Sequence, residues 1–349
     1  MKSLSQSQMK RLTAVHGWSG IVLGLLLYAV VATGTVVVFA EEIAIWSVGG
    51  QRSATTLSDN LDERVRAAAE STTKGYREAV SVWSDARGDL LIFPHAHARN
   101  PKTGQMDDIG PLIRVDPENG EVLSRRDGFV WQQPDWYEAS ALSHFLVDLH
   151  VRLSVPEPWG LLLTGILGLA MMAAGTTGLL MHRHLIRDLF VAERPGERLV
   201  SARDRHVLAA SWGLPFAFLL GFTGAFFSFA GSVGLPVVAT IAFGGDQEAL
   251  IDTLFEPAVT PDPRPQPLVN LDRLVAASSE RAGSAPIFVE ISHYGRADSR
   301  VSVWHNPPAG SLDFVHHLYD GAGNFLETRP LLGNQPSSAS FVYSLMGPL

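Results

Sequence analysis

Three stretches of this chain run for more than 20 residues without a charged side chain: Gly17 to Ala40, Trp159 to Met181 and Val207 to Ala230. A helix needs about 20 apolar residues to cross a hydrocarbon core roughly 30 Å thick. Each stretch is therefore read as a membrane-spanning helix, and the segments between them have ordinary globular composition. The first run is longer than a signal-peptide core and shows no small-x-small cleavage site before Glu41, so it reads as an anchor.

Basic residues set the orientation. Lys2, Lys10 and Arg11 precede the first stretch, and Arg183, Arg187, Arg194, Arg198, Arg203 and Arg205 lie between the second and third. Cytoplasmic loops carry the excess of Lys and Arg. The expected organisation is a cytoplasmic N-terminus (1–14), a first span (15–40), an outer segment (41–156) and a second span (157–181). A cytoplasmic loop (182–206), a third span (207–230) and a second outer segment (231–349) follow. The chain has no cysteine, which excludes disulfides, iron–sulfur clusters and thiolate metal sites.

The chain also reads as a parallel internal repeat of about 190 residues. His16 stands 18 residues before Gly34, and His206 stands 18 before Gly224; each glycine follows a threonine, Thr33 or Thr223. Phe39 and Phe229 lie five residues past the glycines. In each outer segment the pattern predicts a helix (Leu61 to Ser71; Leu271 to Arg281) and then strands. The strands are Ala79–Trp83, Leu90–Phe93 and Leu112–Val115 in the first, and Ile287–Ile291, Arg300–Trp304 and Asp313–Tyr319 in the second. Turns at Asp116–Gly120 and Asp320–Asn324 follow, where Asn and Gly provide positive φ. The second span begins at Trp159, and the same offset leads to Leu349. A fourth helix is therefore expected after Leu349.

Twelve histidines sort by depth. His16 and His206 stand at the cytoplasmic starts of the first and third spans, and His182 and His184 follow the second. His144 and His150 belong to an amphipathic segment, Ala139 to Leu153, with Leu142, Phe145, Leu146, Leu149 and Leu153 on one face. Any single histidine at a helix end can be an interfacial side chain. Two at equal depth on related helices can instead face each other across a flat macrocycle, with two neutral imidazoles ligating a haem iron. Gly17, Gly20, Gly24 and Gly213 leave room for one, although Gly20-x-x-x-Gly24 also fits a helix-packing face. His95 and His97, two apart on a predicted strand, could share a surface metal.

These residues carry a family resemblance. His16-Gly17-Trp18-Ser19-Gly20, opening a helix that closes with Thr33-Gly34, resembles the first helix of the PepSY-associated transmembrane family. His206 with Thr223-Gly224 resembles it again, and Val115-Asp116-Pro117-Glu118-Asn119-Gly120-Glu121-Val122 is similar to the strand–turn–strand of a PepSY module. The resemblance implies a membrane α-helical bundle with two α+β PepSY-like periplasmic domains in the bacterial inner membrane. It also implies a likeness to ferric-siderophore reductases carrying one or two b-type haems. On that likeness His16, His206 and His150 are the haem ligands, with His144, His182 and His184 as further candidates.

The expected activity is electron transfer across the membrane to a periplasmic ferric siderophore, releasing Fe(II). Aromatic walls for the chelate would come from Trp131, Trp136, Tyr137, Trp304 and Tyr343. No G-x-G-x-x-G follows a strand, and the cytoplasmic loop is short, so the donor is a quinol or another protein. Lipid is the surrounding partner, and no nucleic acid is expected. The rival is a non-enzymatic PepSY membrane protein that binds or regulates an envelope protease or assembly partner. A transporter is a weaker rival, because no acidic residue lies within the three uncharged stretches that form the helices.

Overall fold

The computed structural model describes residues 5–49, 57, 59–101, 106–156, 158–181, 198–246, 249–250, 259–307 and 315–330. The chain separates into two compact units: residues 1–38 with 145–245, and residues 39–144 with 246–349.

The first unit holds three helices long and apolar enough to cross a membrane. They are α1 (Gln6–Val37), α6 (Trp159–Met181) and α7 (Arg198–Phe229). The later part of α5 (Ala141–Arg152) and α8 (Leu235–Ala242) complete the unit. α1 starts well before its apolar run, because Ser5 and Gln8 form a reciprocal capping box at its N-terminus. His16 and His206 therefore lie inside their helices and not at the starts. Helix α6 packs against both α1 and α7, and α1 and α7 make no comparable contact with each other.

Small residues allow the α6–α7 contact. A Cβ at Gly168 would lie 2.7 Å from the Gly221 carbonyl oxygen, and one at Gly221 would lie 2.9 Å from that of Gly168. The backbones touch there, which is how apolar helices associate in a medium as apolar as their own side chains. On α1 the large residues Trp18, Ile21, Leu25 and Tyr28 are exposed, as a lipid-facing surface requires.

The second unit is built on one antiparallel sheet of eight strands in the order β4-β3-β2-β1-β5-β6-β7-β8. The strands are β1 (Ala79–Ser84), β2 (Leu90–Arg99), β3 (Met106–Val115), β4 (Val122–Phe129), β5 (Pro286–Ser292), β6 (Arg300–His305), β7 (Val315–Asp320) and β8 (Phe325–Pro330). Short helices α2 (Ala40–Ser47) and α4 (Pro134–Tyr137) lie on connections. The two outer segments, read from the sequence as two domains, thus share a single sheet. Their central strands β1 and β5 pair antiparallel, with Val82 opposite Val289.

Helices α3 (Leu61–Glu70) and α9 (Leu271–Ala282) serve one core. Leu61, Val65, Leu271 and Leu274 pack with Val80, Val82, Ile92, Val289, Ile291 and Val303 from both halves. Alternation puts those strand residues on one face. A sheet cut between β1 and β5 would expose that core, so hydrophobic burial joins the halves.

Each hairpin turn opens with an aspartate. The Asp116 carboxylate accepts the N–H groups of Glu118 and Asn119, and the Asp320 carboxylate accepts those of Ala322 and Asn324. Positive φ falls on Gly120 and Gly323 and not on an asparagine. The asparagines instead hydrogen-bond within the turns, Asn119 through its carbonyl and Asn324 through its amide. The equivalent turn aspartates are 204 positions apart, against 190 for His16 and His206. A single offset therefore describes the spans and not the sheet.

Candidate functional site

The His16 and His206 rings face each other with centroids 6.1 Å apart and planes inclined by 71°. They come from α1 and α7, the two helices that α6 separates. His16 is aimed by α6: its Nδ1 lies 3.1 Å from the Ala174 carbonyl oxygen and 3.2 Å from the Thr177 hydroxyl. That hydroxyl donates to the carbonyls of Ala173 and Ala174. Both groups around Nδ1 are thus acceptors, so Nδ1 carries a proton, and in the neutral ring the lone pair is then on Nε2. A histidine that ligates a metal is commonly fixed in this way, donating its other N–H to a carbonyl.

His150 is held in the same manner at the other end of α1. Its Nδ1 lies 2.8 Å from the Val30 carbonyl oxygen and 3.5 Å from the Thr33 hydroxyl. The ring occupies the space over Gly34, where a Cβ would come within 2.7 Å of Cε1. Eighteen residues make five helical turns, so His16 and Gly34 share one face of α1, about 27 Å apart along the axis. The position of His150 depends on a tight elbow. Leu153 and Ser154 both adopt left-handed φ, and a Cβ at Gly160 would lie 2.4 Å from the Val155 carbonyl oxygen.

Space beside the pair is open. A Cβ at Gly17, Gly20, Gly24 or Gly213 would meet no atom within 4 Å. Gly20 and Gly24 are therefore not a packing face among the described residues. His144 does not join these histidines; its Nδ1 lies 3.0 Å from Glu138. His182 and His184 lie outside the described residues, as does Tyr343.

The sheet histidines have structural surroundings. His95 is buried, its Nδ1 2.9 Å from the Phe93 carbonyl and its ring stacked on Phe93 at 4.6 Å. The His97 Nδ1 lies 2.7 Å from the Asp108 carboxylate, and the His95 and His97 rings are 5.8 Å apart. Burial raises the Asp108 carboxyl, but the His97 hydrogen bond and the nearby His95 outweigh it and leave Asp108 below its usual range. Burial pushes Glu290 up, against His95 and the Ser81 hydroxyl that donates to it at 2.5 Å. Among the described residues, no group of three or more His, Asp or Glu is arranged to hold a metal ion. Buried Ser278 bridges His305 at 2.8 Å and His317 at 3.1 Å, and His316 stacks on Trp304 at 4.3 Å.

The aromatic residues expected to wall a ligand are largely engaged with one another. Trp131 stacks on Trp83 at 5.7 Å and donates to Asp108, while Trp136 and Tyr137 pack on the Leu91–Phe93–Leu112–Val130 cluster. A cavity of about 420 Å³ opens beside Trp136, lined also by Arg87, Arg114, Arg126, Ser140 and His144 together with Asp135 and Glu138. Arg114 is bound by Asp85 and Asp89. Among the described residues, the Arg87 and Arg126 guanidinium groups have no carboxylate partner; that of Arg87 reaches the Ala139 carbonyl and that of Arg126 lies over the Trp136 ring. Sequence reasoning missed this cavity, because its arginines come from three separate elements. It also missed Thr177, although Thr176-Thr177-Gly178 in an uncharged helix was a readable signal.

The sequence model of the PepSY-associated TM region matches residues 13–344. An uncharacterized protein of Pseudomonas aeruginosa is 32% identical over 162 residues, a match covering 45% of this chain and 40% of that relative.

Proposed function

The chain belongs to the PepSY-associated TM region family, and we propose that it is a b-type haem protein of the bacterial inner membrane that passes electrons to a periplasmic ferric chelate. The observation that carries this reading is the 6.1 Å separation of the His16 and His206 rings. A metal–imidazole bond of about 2 Å and a ring radius of about 1.1 Å mean that two imidazoles sharing one metal ion would have centroids up to roughly 6 Å apart. The free Nε2 of His16 and the open side of Gly17, Gly20, Gly24 and Gly213 suit a flat macrocycle between the helices.

Haem, if bound, would supply reversible one-electron chemistry. The protein's own part is positional. His16 and His206 would hold the iron from two helices, and α6 fixes the His16 ring through Ala174 and Thr177. His150, aimed by Val30, would supply one ligand of a second site about 27 Å along α1. That distance nearly equals the hydrocarbon thickness, so the two positions mark the ends of a transmembrane path.

Basic residues before α1 and in the 182–206 loop support a cytoplasmic His16 end. The sheet then lies in the periplasm. Its halves repeat one α-β-β-β-β unit, which supports duplication of a helix-plus-module ancestor. The donor is a quinol or a protein. Siderophore oxygens hold Fe(III) far better than Fe(II), so one electron loosens the complex and Fe(II) leaves. The acceptor docks in the arginine-lined cavity, and the two arginines without carboxylate partners suit an anionic chelate.

Purified full chain should show a Soret band that shifts on dithionite reduction. His16→Ala and His206→Ala should each remove most of it. A colourless, folded preparation overturns the proposal and leaves the non-enzymatic PepSY reading.

A further inference from the structure

His16 and His150 are docked by the same local device on two different helices. On α6, Thr177 is followed by Gly178, and its hydroxyl donates to the carbonyls of Ala173 and Ala174, four and three residues before it. The His16 Nδ1 meets the Ala174 oxygen and the Thr177 hydroxyl, and its ring lies over Gly178, where a Cβ would be 3.5 Å from Cε1. On α1, Thr33 is followed by Gly34, and its hydroxyl donates to Ala29 and Val30. The His150 Nδ1 meets the Val30 oxygen and the Thr33 hydroxyl, and its ring lies over Gly34.

The physical basis is the same in both. The carbonyl three residues before the threonine has two lone pairs. The helical N–H of the following glycine uses one and the imidazole N–H the other, while the threonine hydroxyl lies closer to the carbonyl four residues before it, 2.9 Å on α6 and 2.7 Å on α1. Glycine removes the side chain that would otherwise occupy the ring's place.

α7 carries the device again. The Thr223 hydroxyl donates to Leu219 at 3.0 Å and Leu220 at 3.3 Å, and a Cβ at Gly224 would meet nothing within 4 Å. A further pair on α6 is used differently. Gly165 lies under the Phe229 ring, and the Thr164 hydroxyl contacts the Val151 carbonyl. That pair takes an aromatic ring from α7 and no imidazole.

We propose that Thr33-Gly34 and Thr177-Gly178 are histidine seats, that Thr33 and Thr177 are positioning residues which set the Nδ1–H tautomer, and that Thr223-Gly224 is a third seat for a neutral imidazole. The reason for aiming Nε2 rests on the haem reading, but the seats themselves are tested without haem. In haem-free full chain labelled with ¹⁵N-histidine, the His16 and His150 rings should show protonated Nδ1 and unprotonated Nε2. Thr177→Val should disturb the His16 tautomer alone, Thr33→Val that of His150 alone, and Thr→Ser at either position should restore it.

For the third seat, ¹⁵N-imidazole added to the full chain in neutral-lipid nanodiscs should give a hydrogen-bonded N–H signal, lost in Gly224→Leu while the His16 and His150 signals stay unchanged. Unaltered tautomers in both Thr→Val variants overturn the positioning role. Absence of imidazole binding, or binding indifferent to Gly224→Leu, overturns the third seat. A missing Soret band with these tautomer results intact would remove the haem reading and leave the seats standing.

Discussion

Asp62 and Asp272 cap each other's helices. The Asp62 carboxylate accepts the Leu271 N–H at the start of α9 at 3.1 Å, and the Asp272 carboxylate accepts the Leu61 N–H at the start of α3 at 2.7 Å. The two residues are 210 positions apart and occupy equivalent places in the two halves of the sheet unit. Arg66 donates to Asp62 at 2.7 Å and to the Leu268 carbonyl at 2.9 Å, which stabilises the two carboxylates at close quarters.

This exchange predicts a coupled loss. Asp272→Ala should cost about 1 kcal/mol of stability by removing one cap. Asp62→Ala should cost more, because it also frees Arg66. The double variant should fall short of the sum, since each cap holds the helix that carries the other. Thermal melts followed by circular dichroism check this; strict additivity would argue against the exchange.

Close backbone approach predicts a second, local sensitivity. Gly168→Val places a Cβ 2.7 Å from the Gly221 carbonyl oxygen and should separate α6 from α7, with loss of folded protein in detergent. Gly20→Ala has open space around it and should fold normally. Size-exclusion profiles of the two variants give the comparison.

Acid should weaken the sheet unit. Burial pushes His316 and His317 down to about 4, and burial likewise lowers His305. In the unfolded chain these groups titrate near 6.5. Between about pH 4 and 6.5 the unfolded state binds more protons, so stability falls as pH falls through that window. Each fully shifted group contributes a slope of up to about 1.4 kcal/mol per pH unit. Below the folded values the loss is complete and the slope from these groups vanishes. Melting temperature against pH measures it, and His316→Gln with His317→Gln should flatten the curve.

Charge reversal tests the cavity beside Trp136. Arg87→Glu and Arg126→Glu should each raise KM for an anionic ferric chelate about tenfold or more, while leaving the Soret band intact. A cationic chelate should bind better to the same variants. Equal effects on both chelates would place docking elsewhere.

The one-dimensional pattern was enough for the three membrane spans, α3, α9 and parts of the strands, but it stopped β2 at Phe93, started β3 at Leu112 and did not reveal α8. Uncharged runs longer than the bilayer is thick located α1, α6 and α7, because hydrocarbon excludes charge and demands internally bonded backbone. Period-two alternation and aspartate-led turns located the strands, since burial of one face follows directly from side-chain direction. The 18-residue spacing from His16 to Gly34 also lay in the sequence, as a whole number of helical turns. What it meant did not. That the Gly34 face receives His150, 116 residues further along the chain, depends on the elbow at Leu153 and Ser154 and on α6 docking beside α1. That the two outer segments make one sheet depends on Val82 meeting Val289, a pairing between strands about 200 residues apart. Local propensity is written residue by residue, so sequence alone determined the membrane spans, helices α3 and α9 and the approximate positions of the strands. Contacts between distant segments arise only when packing brings their surfaces together, so tertiary structure alone decided which histidines face each other and what holds their rings.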